Sequence, residues 1–191
     1  ITAATIFDDT EQDFENNYHP TDYSKSLGKI TVRRAVESSQ NIPFVEIMEK
    51  LKPKNSIKYL EKMGVTTLTE EDNSLPLALG GLEKGISPLQ MAGAYSTIAN
   101  DGIYIEPTFY TKIDKNDGTV FIKTSQKTKR VCSKQVAYIL KEILTQPVLG
   151  ENGTATYCKI SGMDVAAKTG TTDKSYDRWL CGFTPYYSAA T

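Results

Sequence analysis

The apolar and polar positions alternate between stretches of helical period and shorter strand-like runs. From Thr31, with Val32, Ala35, Val36 and Ser39 spaced three and four apart, the pattern predicts a helix capped by Thr31 and ending near Gln40. Pro43 disfavours helical geometry at Ile42, so a bend follows, and a second helix runs from about Pro43 to Leu51. A third is expected from Asn55, as its cap, to Met63 before Gly64. Ser87-Pro88-Leu89-Gln90 reads as a capping box opening a helix to Ala99, with Met91, Ala94, Tyr95 and Ile98 on its buried face. Asn116-Asp117-Gly118 predicts a hairpin between strands at 104–113 and 119–123, followed by a solvated basic loop over 123–130. Ser133 caps an amphipathic helix with Val136, Ile139, Leu140, Ile143 and Leu144 on one stripe. After the loop 150–156, Val165 to Ala167 begin a strand, 177–185 form its hairpin partner, and 186–191 read as the start of another strand.

Composition leaves this picture intact and removes several functions from it. The 191 residues are 39% hydrophobic and 24% charged, which suits one domain with one substantial core. A net charge of −1 and dispersed lysines give no basic footprint for nucleic acid. Cys132, Cys158 and Cys181 lack metal-ligand spacing and read as unpaired thiols, so neither a metal nor a cofactor is expected. His19, the single histidine, lies in a polar loop beside Pro20, which leaves no Ser-His-Asp triad. Serine chemistry would need lysine as its base. The first residues carry no signal-peptide pattern, and the ends look cut, so the chain is expected to be a fragment.

Candidate chemistry concentrates in two places. In Lys168-Thr169-Gly170-Thr171, a strand emerging from the core turns polar: Thr169 and Thr171 share one face, Lys168 and Gly170 the other. Two hydroxyls on one face can grip a carboxylate, the lysine supplies a positive field, the bare Gly170 admits close approach, and the Thr171 N–H can meet a developing oxyanion. In Ser39-Gln40-Asn41, Ser39 can relay a proton, while Asn41 either holds a substrate carbonyl or caps the second helix. Ser26-Leu27-Gly28-Lys29 has the spacing of a serine–lysine pair, but its glycine and the lack of helical period place it in a loop.

Ser39-Gln40-Asn41 followed by Lys168-Thr169-Gly170-Thr171 resembles the second and third motifs of penicillin-recognising serine enzymes. With Gly28 to Ala35 before the first motif, Ala78 to Gly93 between them, and Asp177, Trp179, Gly182 and Thr184-Pro185 after, nearly the whole chain resembles the transpeptidase domain of class A, bifunctional penicillin-binding proteins. The resemblance implies an α+β fold of the penicillin-binding-protein and serine β-lactamase type, an antiparallel sheet packed with helices. It implies a peptidoglycan D,D-transpeptidase on the extracytoplasmic face of the bacterial membrane, with stem peptides and β-lactams as partners. An upstream glycosyltransferase domain and a membrane anchor are expected in the parent protein. On this sequence Ser39 would be the proton relay, Asn41 the holder of the substrate amide and Lys168 the electrostatic support, with Thr169, Gly170 and Thr171 lining the carboxylate and oxyanion subsites. The family's Ser-x-x-Lys is expected upstream, so residues 1–191 form the C-terminal part of the domain and carry no nucleophile. A serine β-lactamase, a β-lactam sensor and a non-catalytic peptidoglycan-binding module share these motifs and are the alternatives.

Overall fold

The computed structural model describes residues 1–191, the side chain of Asp173 excepted. Strand β1 (Ile6–Asp8) pairs antiparallel with β2 (Lys29–Thr31), setting Phe7 opposite Ile30, and both are buried. Thr31 then turns the chain into α1 (Val32–Ser38), its hydroxyl accepting from the Arg34 N–H at 3.2 Å. The helix stops where Ser39 takes the left-handed conformation, φ 56° and ψ 41°, which costs an L-residue about 1 kcal/mol. After this bend α2 (Ile42–Leu51) carries Pro43 in its first turn and buries Ile42 and Val45 completely.

Helix α3 (Pro53–Lys62) starts two residues before the expected Asn55. Pro53, with its φ preset for a first turn, sets that start, and the Asn55 side chain donates to the Leu51 carbonyl instead of capping. Gly64 ends the segment with φ 86°, and a Cβ there would overlap the Tyr104 hydroxyl. The capping box at Ser87 and Gln90 opens α4 (Pro88–Ala99) as expected. Its most deeply buried residues are Gly93, Ala94 and Thr97, whereas Met91, Tyr95 and Ile98 are only half-buried. Gly93 faces Pro107 and Tyr104, which an added Cβ would meet at 3.4 and 3.5 Å.

The segment 104–113 splits in two. Strand β3 (Ile103–Ile105) leaves before Pro107, and β4 (Lys112–Asp114) pairs with β5 (Val120–Lys123) around the expected turn, where the Lys115 N–H donates to the Thr119 carbonyl. The 123–130 region is only partly a loop, because β6 (Thr128–Arg130) pairs with β3 while all its side chains stay exposed. A strand exposed on its side-chain faces carries no apolar alternation for sequence to reveal. Ser133 caps α5 (Lys134–Leu144), in which Ala137 and Ile143 are buried while Val136 and Ile139 are exposed, so the buried face is rotated from the expected stripe. Helix α6 (Gln146–Leu149) follows directly.

Strands β7 (Ala166–Thr171), β8 (Arg178–Phe183) and β9 (Ser188–Ala190) form an antiparallel sheet in that order, with Lys168 opposite Cys181 and Gly170 opposite Trp179. One face meets α4, where the rings of Tyr95 and Phe183 lie 6.5 Å apart and the Ser188 hydroxyl donates to the Ala92 carbonyl. On the other, Val165, Ala167 and Leu180 pack against Val148 and Ala155. Helices on both faces of this sheet give the α+β arrangement expected, with β7 at a free edge of the three strands. Among the described residues no helix is long and apolar enough to cross a membrane.

Candidate active site

The left-handed turn at Ser39 lifts its hydroxyl off the end of α1, and β7 brings Lys168 to meet it. The Lys168 ammonium donates to Ser39 Oγ at 2.7 Å and to the Thr169 carbonyl at 2.8 Å. These contacts join two motifs 129 residues apart in sequence. Burial pushes the lysine down from 10.5 to about 8, leaving it charged at neutral pH yet closer to losing its proton than a surface lysine. Because the ammonium occupies the acceptor side of Ser39 Oγ, the serine's own proton is free to be donated elsewhere.

The register of the hairpin fixes which backbone groups are available. The Thr172 N–H donates to the Asp177 carbonyl at 3.1 Å. In an antiparallel ladder, hydrogen-bonded and non-bonded pairs alternate, so the neighbouring pair Thr171–Arg178 is non-bonded and the Thr171 N–H points out from the free edge of β7. By the same alternation the Thr169 carbonyl points outward, where it receives Lys168. An exposed N–H, a cation and a serine hydroxyl thus gather along one strand edge, a set able to bind an anion and stabilise an oxyanion.

The remaining motif residues take different partners. The Thr169 hydroxyl lies 3.0 Å from the Thr154 hydroxyl, in the loop after α6, and Thr171 is exposed. A Cβ on Gly170 would sit 3.5 Å from Trp179 Cβ, an ordinary contact, so hairpin packing does not demand glycine there. What the missing side chain does is leave the face beside Lys168 open. Asn41 stands at the cap position of α2, yet its side chain makes no capping bond; Nδ2 donates to the Thr21 carbonyl at 2.7 Å. Ser26 and Lys29 do not form a pair: Ser26 Oγ accepts from the Gly28 N–H, Gly28 has φ 68°, and Lys29 begins β2.

Sequence reasoning missed the residues that hold the motifs in place. Gln40, only 2% exposed, donates to Asp9 and accepts from Ser24, anchoring the middle of its motif from below. Asp22 accepts from the Asn41 N–H at 2.5 Å. Glu37 on α1 accepts from the Asn152 N–H at 3.0 Å and pairs with Arg34 at 3.0 Å, tying the Thr154 loop to the helix that carries Ser39. The local signal was a pair of glycines before Thr154: a Cβ on Gly150 would overlap the Glu37 carboxyl, and one on Gly153 the Pro147 carbonyl.

Residues 2–190 match the family model described as the penicillin binding protein transpeptidase domain. The chain is 37% identical over 201 aligned residues to penicillin-binding protein 1A of Clostridium botulinum, covering 99% of this chain and 24% of that protein. It is 38% identical over 181 residues to penicillin-binding protein 1F of Bacillus subtilis, covering 91% and 24%. In fold it is similar to the crystal structure of penicillin-binding protein 1A from Haemophilus influenzae, with a TM-score of 0.87 at 22% identity over 100% of this chain and 34% of that one. The imipenem acyl-enzyme complex of penicillin-binding protein A from M. tuberculosis superposes with a TM-score of 0.82 at 19% identity, over 100% of this chain and 48% of that one. The chain thus spans about a quarter of the length of the curated relatives it matches. With its family model matched almost end to end, this chain belongs to the penicillin-binding protein transpeptidase family, with class A penicillin-binding proteins 1A among its relatives.

Proposed function

We propose that the chain is the C-terminal part of the transpeptidase domain of a class A peptidoglycan synthase, and that it supplies the proton-relay and substrate-binding side of a D,D-transpeptidase site. The observation that carries this reading is the 2.7 Å contact between Lys168 Nζ and Ser39 Oγ, made at a strand edge with an outward N–H. In the proposed reaction a serine upstream of this chain, within a Ser-x-x-Lys helix, attacks the carbonyl of the penultimate D-alanine of a stem peptide. The carbon–nitrogen bond to the terminal D-alanine breaks, and an amine of a second stem then displaces the serine oxygen. The proton of the attacking serine passes to the lysine of its Ser-x-x-Lys. That lysine reprotonates Ser39 as Ser39 hands its own proton to the departing amine nitrogen, and Lys168 stabilises the Ser39 oxygen. The relay runs in reverse when the acceptor amine gives up a proton and displaces the serine. The Lys168 charge and the Thr169 and Thr171 hydroxyls bind the terminal carboxylate of the donor stem, with Thr169 held by Thr154. The Thr171 N–H contributes one donor to the oxyanion, and the Asn41 amide holds the donor peptide bond. A β-lactam presents a carboxylate and a strained amide to the same groups, and would leave the upstream serine acylated.

The parent protein is placed on the outer face of the cytoplasmic membrane, with its anchor and a glycosyltransferase domain upstream. Intact-mass and peptide mapping of the full-length protein after incubation with a penicillin test the assignment. One acyl group on a serine upstream of residue 1 is the expected result, with Ser39→Ala slowing its formation by about a hundredfold or more. An adduct on Ser26 or Ser39 overturns the assignment of roles.

A further inference from the structure

Two carboxyl groups lie directly beneath Gln40 and Asn41, and each uses only one of its oxygens on the motif. Asp9, completely buried, accepts at Oδ2 from the Gln40 side chain at 2.6 Å and from the Leu27 N–H at 2.8 Å. Asp22 accepts at Oδ1 from the Asn41 N–H at 2.5 Å and the Ile42 N–H at 3.4 Å. The other two oxygens, Asp9 Oδ1 and Asp22 Oδ2, are buried and have no partner if both groups are ionised. A buried acceptor left unsatisfied costs about 1–3 kcal/mol, and here there are two within reach of each other. Two carboxylates cannot bond to one another. A carboxylic acid and a carboxylate can, with a single proton satisfying both orphans at once.

We propose that Asp9 and Asp22 share one proton, carried on Asp22 Oδ2 and donated to Asp9 Oδ1, and that this pair is the positioning device that holds Gln40 and Asn41 in register with Lys168. The role in positioning rests on the transpeptidase reading; the shared proton stands apart from it. Desolvation raises the Asp22 carboxyl above its usual range, and the charge and hydrogen bond of Asp9 raise it further, against the lowering effect of the Asn41 and Ile42 N–H groups. The pair is faced mainly by neutral donors. From β1, Asp8 turns its carboxylate to the Thr10 N–H. From the 21–28 loop, Ser24 and the Lys25 carbonyl meet Gln40 rather than the acids. From the turn at Ser39, Lys168 is engaged by Ser39 Oγ and the Thr169 carbonyl. With the folded value raised, the stability contributed by the proton is complete at pH below the ordinary aspartate range and is lost as pH rises through the folded value.

Amide substitution separates this arrangement from others. Asp22→Ala is expected to slow penicillin acylation of the full-length protein by at least about tenfold, because the Asn41 N–H loses its acceptor. Asp22→Asn should restore most of that rate, since its oxygen still accepts from Asn41 and its N–H replaces the shared proton permanently. Asp9→Asn should do the same from the other side, while the double variant Asp9→Asn/Asp22→Asn sets two N–H groups against each other and should lose the rate again and lower the unfolding temperature. The acylation rate of Asp22→Asn divided by that of wild type should rise as pH climbs from the ordinary aspartate range through the raised Asp22 value, a ratio in which the titration of Lys168 cancels. A ratio that stays flat, single amide variants as damaged as the double, or stabilisation of wild type by added calcium with loss in either single variant, overturns the shared proton. If unfolding of this chain shows the single-versus-double pattern but acylation responds neither to it nor to Asn41→Ala, the pair stands and the assignment of Asn41 to the substrate falls.

Discussion

Lys168→Met keeps an unbranched side chain up to the position of Cε and removes the ammonium. In the protein this group titrates at about 8, against 10.5 for a free lysine, because burial penalises its charge. That difference corresponds to about 3 kcal/mol spent at neutral pH on keeping the charge in place. Methionine escapes this cost but leaves Ser39 Oγ and the Thr169 carbonyl without their charged donor, a loss of about 1.5 kcal/mol for each hydrogen bond. The two terms nearly cancel and predict a variant about as stable as wild type at pH 7, and, on the proposed relay role of Ser39, slower in acylation by at least about a hundredfold once the cation beside it is gone.

The pH dependence makes the prediction sharper. Between about 8 and 10.5 the unfolded chain binds the lysine proton more tightly than the folded chain, so wild-type stability gains with rising pH across that window and the methionine variant does not share the gain. Other groups titrate equally in both proteins and cancel. Denaturant unfolding of the two proteins at neutral pH and near pH 10, monitored by circular dichroism, gives the difference directly, and acylation of the full-length forms by a fluorescent penicillin gives the rate. A methionine variant whose stability relative to wild type does not fall on going from pH 7 to pH 10 refutes the idea that Lys168 is held charged at the expense of the fold.

Two further outcomes follow from the contacts behind the motifs. Glu37→Ala should lower stability by about 2 kcal/mol, since it strands the Asn152 N–H and Arg34, and Glu37→Gln should recover part of the loss; thermal unfolding of both variants checks this, and equal losses in the two count against it. The Cys181 thiol, 3% exposed and pushed up by burial to about 11, should resist iodoacetamide in the native protein at pH 8 while Cys132 and Cys158, both half-buried, react first; mass spectrometry of partly alkylated protein decides the order.

The helices and the motif hairpin could be read from sequence because their determinants are local. Thr31, Ser87 and Ser133 cap their helices through backbone groups three residues away, and the 166–171 and 178–183 strands are close in the chain and differ in polarity between core and edge. The β3–β6 pairing was hidden for the opposite reason, since β6 is exposed on all sides and its partner lies across an intervening hairpin. The same division runs through the site. Lys168 and Ser39 announced themselves by motif, and their meeting at 2.7 Å could not have been computed from spacing across 129 residues. Asp9, Asp22, Gln40 and Glu37 carry no motif, since an aspartate in a polar loop reads the same whether it faces water or holds a backbone N–H.

The difference has a physical source. A chemical role restricts residue type, because few side chains donate a proton or carry a buried cation, whereas a supporting role restricts only position, and many types can meet it. Gln40 occupies the unspecified middle position of its motif, yet it is the most buried of the three, 2% exposed and bonded to Asp9, Ser24 and the Lys25 carbonyl. The left-handed turn at Ser39 is closed by backbone bonds, from the Ser39 N–H to the Val36 carbonyl and from the Gln40 N–H to the Ala35 carbonyl, and the Gln40 side chain braces it from beneath while the Ser39 hydroxyl meets Lys168. The geometry at Ser39 is therefore closed by its own backbone and braced by a side chain that makes no contact with Lys168. Loosening Gln40 would let the serine relax toward ordinary backbone geometry and away from the lysine, leaving the chemistry's residues present but no longer in contact.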